Sequence, residues 1–82
     1  MPSLSAPLTL AELKTGEHAA FVMMVAERGV ASRLTSLGFT PGVDIQMTQN
    51  YGRGPIVVTV RGARVAMGRS EALNTFVQRA AA

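Results

Sequence analysis

Cysteine is absent from this 82-residue chain, and histidine occurs only once. The lack of cysteine excludes disulfides, thiolate metal ligands and nucleophilic thiols, and it suits a reducing compartment. Long apolar runs are also missing, since the longest, 19–26, has eight residues, whereas a membrane span needs about 20. No basic region followed by an apolar core opens the chain, so no signal peptide is predicted. We therefore expect a soluble, cytosolic protein that does not insert directly into a membrane.

Catalytic side chains are equally sparse. His18 stands alone before apolar residues, which is more typical of a surface or packing residue than of a ligand. The acids fall one to a segment, so no carboxylate pair is indicated: they are Glu12, Glu17, Glu27, Asp44 and Glu71. No G-x-S-x-G motif occurs, and Gly52-Arg53-Gly54 is not followed by the residues of a phosphate-binding loop. Transition metals prefer imidazole, thiolate or clustered carboxylates. The sequence predicts no enzyme, no cofactor and no metal site.

Arginine dominates the basic residues, and the formal net charge is +3. A basic balance raises the case for nucleic acid or an acidic protein surface as a partner. The arginines form no run, however, which favours ordinary solvated surface charge. The alternative is a nucleic-acid-binding module whose basic residues lie on one side of a hairpin, namely Arg53, Arg61, Arg64 and Arg69.

Short strands and frequent turn residues predict a single small barrel of the mainly β class. We expect a flexible arm at 1–7, a first strand at 17–25, a helix at 29–38, and a frayed end at 80–82. Thr9 and Glu12 match a capping box that opens a short helix. Four further strands are predicted at 43–48, 56–61, 64–67 and 76–78. Gly62-Ala63 is interpreted as a glycine-first hairpin turn, and Ser70 as the cap of a helical turn at 71–74.

The first strand does not alternate, because 21–25 is apolar at every position. A half-exposed strand should be polar at every second position. The run therefore hints at an adaptable contact patch or at self-association as a homo-oligomer. For the methionines at 23, 24, 47 and 67, two interpretations stay open, core packing or a contact patch.

One segment carries a recognisable pattern, R-L-T-S-L-G-F-T-P-G at 33–42. It resembles the R-L-x-x-L-G-[hydrophobic]-x-P-G pattern of the FeoA family. Gly54-Pro55 before a strand, the hairpin glycine Gly62, and Glu71-Ala72 resemble the second half of that family, so the likeness spans 8–77. Gly68 departs from the pattern, as does the arginine in the loop at 50–54, where family members often carry an acidic residue.

The resemblance implies an SH3-like five-stranded barrel over 8–79 with one or two short helices, of the type found as the C-terminal domain of DtxR-like repressors. It also implies a non-enzymatic cytosolic adaptor of ferrous iron uptake. Its expected partner is the cytoplasmic GTP-binding region of the membrane transporter FeoB, which would recruit it to the inner membrane. Nucleic acid is the less favoured partner.

The residues expected to contact a partner are Arg33, Leu34, Leu37, Phe39 and Arg53. Phe39 is expected to be half-exposed and to anchor the contact, because aromatic and arginine residues are enriched at interface hot spots. The alternative for Leu34 and Leu37 is that they only seal the barrel. A structural role is predicted for the turn residues Gly38, Pro41, Gly42, Gly54, Pro55 and Gly62.

Overall fold

A computed structural model describes residues 7–79 of the protein. Six antiparallel strands form one sheet, and two helices pack beside it. The strands are β1 (Leu8–Thr9), β2 (His18–Met24), β3 (Asp44–Gln49), β4 (Ile56–Val60), β5 (Ala63–Met67) and β6 (Thr75–Arg79). The helices are α1 (Arg28–Ser36) and α2 (Arg69–Leu73), and a 3₁₀ turn covers Leu10–Glu12. The prediction of a mainly β fold with short helices is confirmed. Apart from Pro7, the predicted arm at 1–7 and the predicted frayed end at 80–82 lie outside the described residues.

The order of strands across the sheet is β1-β6-β2-β3-β4-β5. This corrects two expectations, since there are six strands and not five, and their hydrogen-bonded order is open and not a closed barrel. The added strand is β1, whose two residues pair with β6 through Leu8–Val77 and Thr9–Phe76. Within residues 7–79, β1 and β5 are therefore the two edges of the sheet.

A β-bulge in β2 explains why the first predicted strand fails to alternate. Phe21 pairs with Val77 and Met23 pairs with Phe76, so Val22 is an extra residue with no partner on β6. Ala19 and Phe21 point into the core, whereas Val22 and Met23 are exposed. A bulge adds one residue to one strand and shifts its faces. The apolar run at 21–25 therefore results from one extra residue and not from two buried faces.

The turn between β4 and β5 differs from the predicted one. Val60 pairs with Ala63, so the two turn residues are Arg61 and Gly62, with φ of 52° and 82°. Two left-handed residues in a two-residue loop are typical of a type I′ turn. The glycine thus occupies the second turn position and not the first, and Arg61 adopts a conformation that side-chain-bearing residues seldom take.

The cap of α2 also differs from the prediction. Gly68 and not Ser70 precedes the helix, and its backbone N–H donates to Glu71 Oε1 at 3.3 Å. At the other short helical turn, the capping box is confirmed because the Thr9 N–H donates to Glu12 Oε2 at 2.8 Å.

The core lies between the inner face of the sheet and the helical segments. Leu10 and Leu13 from the first turn are fully buried, as the sequence predicts. Met47 and Met67 are buried as well, so these two methionines pack in the core. Met23 is half exposed. The remaining buried side chains come from every strand except β1 and from both helices: Ala19, Phe21, Leu34, Phe39, Ile45, Ile56, Val58, Val60, Val65, Ala72 and Val77.

A polar network holds the loop at 50–55 in place. The Asn50 side-chain amide donates to the carbonyls of Ala11 and Leu13 at 3.0 and 2.6 Å. Arg69 donates to Asn50 Oδ1 at 2.7 Å and to the Gly54 carbonyl at 2.9 Å. The Gly54 carbonyl is therefore the point at which Arg69 of α2 fixes the loop.

Candidate partner-binding surface

The motif at 33–42 begins as the C-terminal end of α1. The Phe39 N–H donates to the Leu34 carbonyl, and the Gly38 N–H donates to the Thr35 carbonyl, both at 3.0 Å. This pair of bonds is the Schellman motif, in which a left-handed residue, usually glycine, closes the helix. Gly38 occupies that position with φ of 112°. The hydrophobic contact that accompanies the motif involves the positions of Leu34 and Phe39, and both side chains are only 1% exposed.

Phe39 packs inside the protein and not at a partner surface. Its ring meets Phe21 of β2 edge-to-face, with centroids 5.8 Å apart and planes at 86°. Edge-to-face contact is a favoured arrangement for aromatic pairs. The expectation that Phe39 is half-exposed is therefore wrong, and the assignment of Leu34 to the contact surface fails for the same reason. The helix stop turns both side chains inward.

The second half of the motif is a turn fixed to β2. The Val43 N–H donates to the Thr40 carbonyl at 3.0 Å, with Pro41 and Gly42 between them. Gly42 has φ of 88°, as the third residue of a type II turn requires. Its N–H donates to the Phe21 carbonyl at 2.8 Å, and the Phe21 N–H donates to the Val43 carbonyl at 2.9 Å. The structural roles predicted for Pro41 and Gly42 thus have a geometric basis.

Gly38 also lies against the hairpin between β4 and β5. A Cβ built on Gly38 would lie 2.9 Å from Arg61 Cδ and 3.2 Å from Val60 Cγ1. Both separations are shorter than ordinary van der Waals contact. Gly38 is thus favoured for two reasons: its left-handed conformation ends α1, and its lack of a side chain lets α1 approach the hairpin closely.

Two of the predicted contact residues remain accessible on α1. Leu37 is 38% exposed. Arg33 is also exposed, and its guanidinium lies 3.7 Å from Glu71 on α2. Arg53 is exposed but lies elsewhere, because it precedes β4 whereas α1 approaches the residues at the far end of that strand. A five-residue strand spans about 17 Å, so Arg53 lies at the opposite end of β4 from the point where Gly38 meets the hairpin.

A cleft of about 230 Å³ opens beside α1, between the end of β2 and α2. Its apolar lining comes from Met24, Val25, Val30 and Leu34. Val25 is 60% exposed at its rim, and Val30, Leu34 and Leu37 follow one another at helical spacing on a single stripe. This stripe leads from Val30 in the cleft to Leu37, which does not itself line the cleft. We call Arg33, Leu37, Val25 and Val30 the α1 surface.

Two pairs of charged or titratable groups lie at the other end of β2 from the cleft. Arg79 donates to both Glu17 carboxylate oxygens at 3.2 and 3.1 Å. That hydrogen bond, together with the Lys14 N–H, lowers the pKa of Glu17 from its ordinary value. His18 Nδ1 lies 2.9 Å from Asp44 Oδ2 on the exposed sheet face. Among residues 7–79, no three His, Cys, Asp or Glu side chains come together as metal ligands would.

Comparison with known sequences decides the family. The sequence model of the FeoA domain matches residues 8–79. The chain belongs to the FeoA family. A relative from Methanocaldococcus jannaschii, provisionally named Fe(2+) transport protein A, is 31% identical over 69 residues, which cover 84% of this chain and 83% of that protein.

Solved FeoA structures share the fold. The FeoA protein from Chlorobium tepidum matches with a TM-score of 0.84 at 32% identity, over 90% of this chain and 71% of that one. FeoA of Stenotrophomonas maltophilia, solved with zinc, matches with a TM-score of 0.76 at 32% identity, over 87% of this chain and 89% of that one. The latter is described as an SH3 domain protein and as a possible ferrous iron transport activating factor. The SH3-like class predicted from the resemblance is confirmed.

The likeness to metal-dependent repressors is confirmed at the level of fold. IdeR of T. acidophilum matches with a TM-score of 0.80 over 98% of this chain and 36% of that one. The two are only 20% identical, so this match concerns the fold alone.

The FeoA motif in this chain thus serves mainly the fold, while sequence reasoning missed the cleft beside it. Val30 is the residue it overlooked. The apolar run at 21–25, from which a contact patch was expected, reaches Val25 at the rim of the cleft. Among residues 7–79, no helix has the length and apolar character needed to cross a membrane.

Proposed function

We propose that this chain is a non-enzymatic cytosolic adaptor that regulates ferrous iron uptake by binding the cytoplasmic part of a FeoB-like transporter. Membership of the FeoA family supports a role in ferrous iron transport. The description of the Stenotrophomonas maltophilia relative as a transport activating factor supports regulation of a partner and not transport by the chain itself.

The observation that carries the proposal is the exposed apolar α1 surface beside the cleft. Leu37 and Val25 are large apolar side chains left in contact with solvent, whereas the other large apolar side chains of the motif, Leu34 and Phe39, are buried. Exposed apolar groups rimmed by charge are typical of protein contact sites, and Arg33 supplies such a charge. Arginine and apolar anchors in a depression are also the usual hot-spot pattern.

No observation favours nucleic acid as the partner. Arg69 is committed to the loop at 50–55 through its bonds to Asn50 and Gly54. The side chain of Arg61 lies against Gly38. Two of the four arginines considered for phosphate contact thus have intramolecular roles.

The test is a titration of the chain against the cytoplasmic GTP-binding region of a FeoB-like transporter from the same organism, at near-physiological salt, with and without guanine nucleotide. We expect saturable binding that Leu37→Asp weakens by about tenfold or more, the loss of one interface anchor being worth at least about 1.4 kcal/mol. Phe39→Ala is unsuitable as a contact variant, because Phe39 is buried.

Leu73→Asp is the matched control. Leu73 is an exposed apolar residue like Leu37, 51% exposed, but it lies on α2 and outside the α1 surface, so the same substitution should leave binding unchanged. Equal weakening by both variants would point to charge alone and contradict the α1 surface. Absence of binding to the region, with either nucleotide state, would contradict the proposed partner.

Self-association is the remaining expectation from the sequence. Sedimentation of the chain alone, with Leu37→Asp beside it, shows whether the α1 surface instead joins two copies. A monomer is the state that leaves this surface free for the transporter.

A further inference from the structure

β5 is an edge strand whose outer side has no partner among residues 7–79. Its inner side pairs with β4 from Val60–Ala63 to Ile56–Met67. In an antiparallel hairpin the hydrogen-bonded pairs alternate with non-bonded pairs, and the pair that flanks a two-residue turn is bonded. Val65 and Met67 therefore bond to β4, whereas the backbone groups of Arg64 and Ala66 point away from the sheet.

This edge is accessible and rigidly placed. Ala63, Arg64 and Ala66 are exposed, so neither a helix nor another strand covers the outer groups. Val65 and Met67, which alternate with them, are 5% and 2% exposed and belong to the core. Two buried side chains thus hold a row of free N–H and C=O groups in strand geometry. Such a row is a template for an added strand.

The charge around the outer edge of β5 indicates which kind of segment could pair with it. From Ile45 to Ser70 the chain contains four arginines and no aspartate or glutamate. Arg64 lies on the edge itself and Arg61 lies in the turn at its end. An arginine on an edge discourages pairing with another copy of the same edge, since a second chain would bring its own Arg61 and Arg64 to the same place. Like charges opposite one another destabilise a strand pair, whereas opposite charges stabilise it.

We propose that the outer edge of β5 binds an extended, acidic segment of a partner protein as a seventh strand. The backbone groups of Arg64 and Ala66 supply the main-chain bonds, and the exposed side chain of Arg64 selects carboxylates on the segment. This surface is distinct from the α1 surface, and it stands whether or not the transporter is the partner there.

Hydrogen exchange of the free protein is the first arm of the test. The amides of Val65 and Met67 should exchange slowly and those of Arg64 and Ala66 fast, because only the former are bonded to β4. Slow exchange at Arg64 and Ala66 in the free chain would overturn the proposal, since the edge would already be paired.

The second arm adds a capped probe peptide, acetyl-Thr-Glu-Val-Glu-Val-Glu-Thr-amide. We expect it to slow exchange at Arg64 and Ala66 by about tenfold or more when bound, and to lose affinity as salt is raised. The same peptide with lysine in place of glutamate should do neither. Chemical-shift changes spread over all arginines, without protection at Arg64 and Ala66, would overturn strand addition in favour of diffuse charge attraction, as would the absence of binding.

Two substitutions separate the backbone from the charge. Ala66→Pro removes an outward N–H and keeps the bonds to β4, so it should abolish the protection at Arg64 while the fold is retained. Ala66→Thr keeps the N–H and is its matched control. Arg64→Glu should weaken peptide binding by about fivefold or more, because an attractive exposed pair is replaced by a repulsive one of similar size. Unchanged binding by both Ala66→Pro and Arg64→Glu would overturn the proposal.

Discussion

Replacing Gly38 with alanine tests whether this glycine is required by backbone conformation, by the approach of α1 to the hairpin, or by both. At φ of 112° an alanine suffers the strain of a left-handed conformation, about 1–2 kcal/mol. Its Cβ would also meet Arg61 Cδ at 2.9 Å and Val60 Cγ1 at 3.2 Å. Overpacking of this kind typically destabilises a protein by about 1–3 kcal/mol. We expect Gly38→Ala to lower the free energy of unfolding by about 2–5 kcal/mol.

Gly42→Ala is the control that isolates the conformational part. Gly42 belongs to the same motif and has φ of 88°, but nothing lies within 4 Å of a Cβ built there. Its alanine variant should cost only the strain, about 1–2 kcal/mol. Urea unfolding of both variants, followed by circular dichroism, measures the difference.

A double variant identifies the contact. Arg61→Gly suits the left-handed turn position and removes Cδ, the atom nearest the new methyl group at 2.9 Å, together with Cγ at 3.4 Å. Combined with Gly38→Ala it should recover part of the lost stability, so the two changes should be less than additive. Equal losses for Gly38→Ala and Gly42→Ala, with additivity in the double variant, would refute the close approach as a cause.

Three further predictions follow from the packing and from the surface charges. Phe39→Ala should lower the free energy of unfolding by about 3–5 kcal/mol in a urea titration, and a loss below about 1 kcal/mol would contradict its burial. Asn50→Ala should cost about 1–3 kcal/mol in thermal unfolding, because two backbone carbonyls lose their donor; a neutral result would show that water replaces the amide. For Glu17 the lowered pKa means that the ionised form is favoured by folding, so its contribution is present above the unfolded pKa and is lost as pH falls through the folded one. Arg79→Ala should return the pKa of Glu17 toward its ordinary value in an NMR titration, and an unchanged pKa would show that the Lys14 N–H is the dominant cause.

Local patterns predicted the elements of the fold well, because each rested on physics that acts over a few residues. The capping box at Thr9 and Glu12 formed, and the helix ended at Gly38. Alternation at β4 placed Ile56, Val58 and Val60 in the core. These features depend on neighbours in sequence, so the chain alone carries the information.

Features set by pairing across the sheet were missed. β1 has only two residues, and it is a strand because it pairs with β6. No local sequence pattern could therefore predict it. The bulge at Val22 is visible only from the shift in pairing with β6. The turn at Arg61 and Gly62 was placed one residue too late, because the register of β4 against β5 decides which residues form the loop.

The candidate site was only partly predicted, because the geometry at the end of α1 decides which residues of the motif are exposed. Arg33 and Leu37 are exposed on α1, whereas Leu34 and Phe39 of the same motif are buried by the geometry of the helix stop. A sequence motif does not distinguish residues that contact a partner from residues that pack in the core. Only the three-dimensional arrangement makes that separation, and it places Arg53 in the loop before β4 and not on α1.

The hydrogen bonds between Phe21 and the turn at 42–43 make the whole stretch containing α1 a single long connection of the β2–β3 hairpin. It leaves the sheet after Met24, the last residue of β2, and returns to the sheet beside Phe21 of the same strand. Such a connection can be exchanged as a unit between relatives without rebuilding the strands, provided that its two inward side chains, at positions 34 and 39, are kept. Chimeras that exchange this stretch should therefore transfer partner preference from one family member to another while leaving the sheet intact.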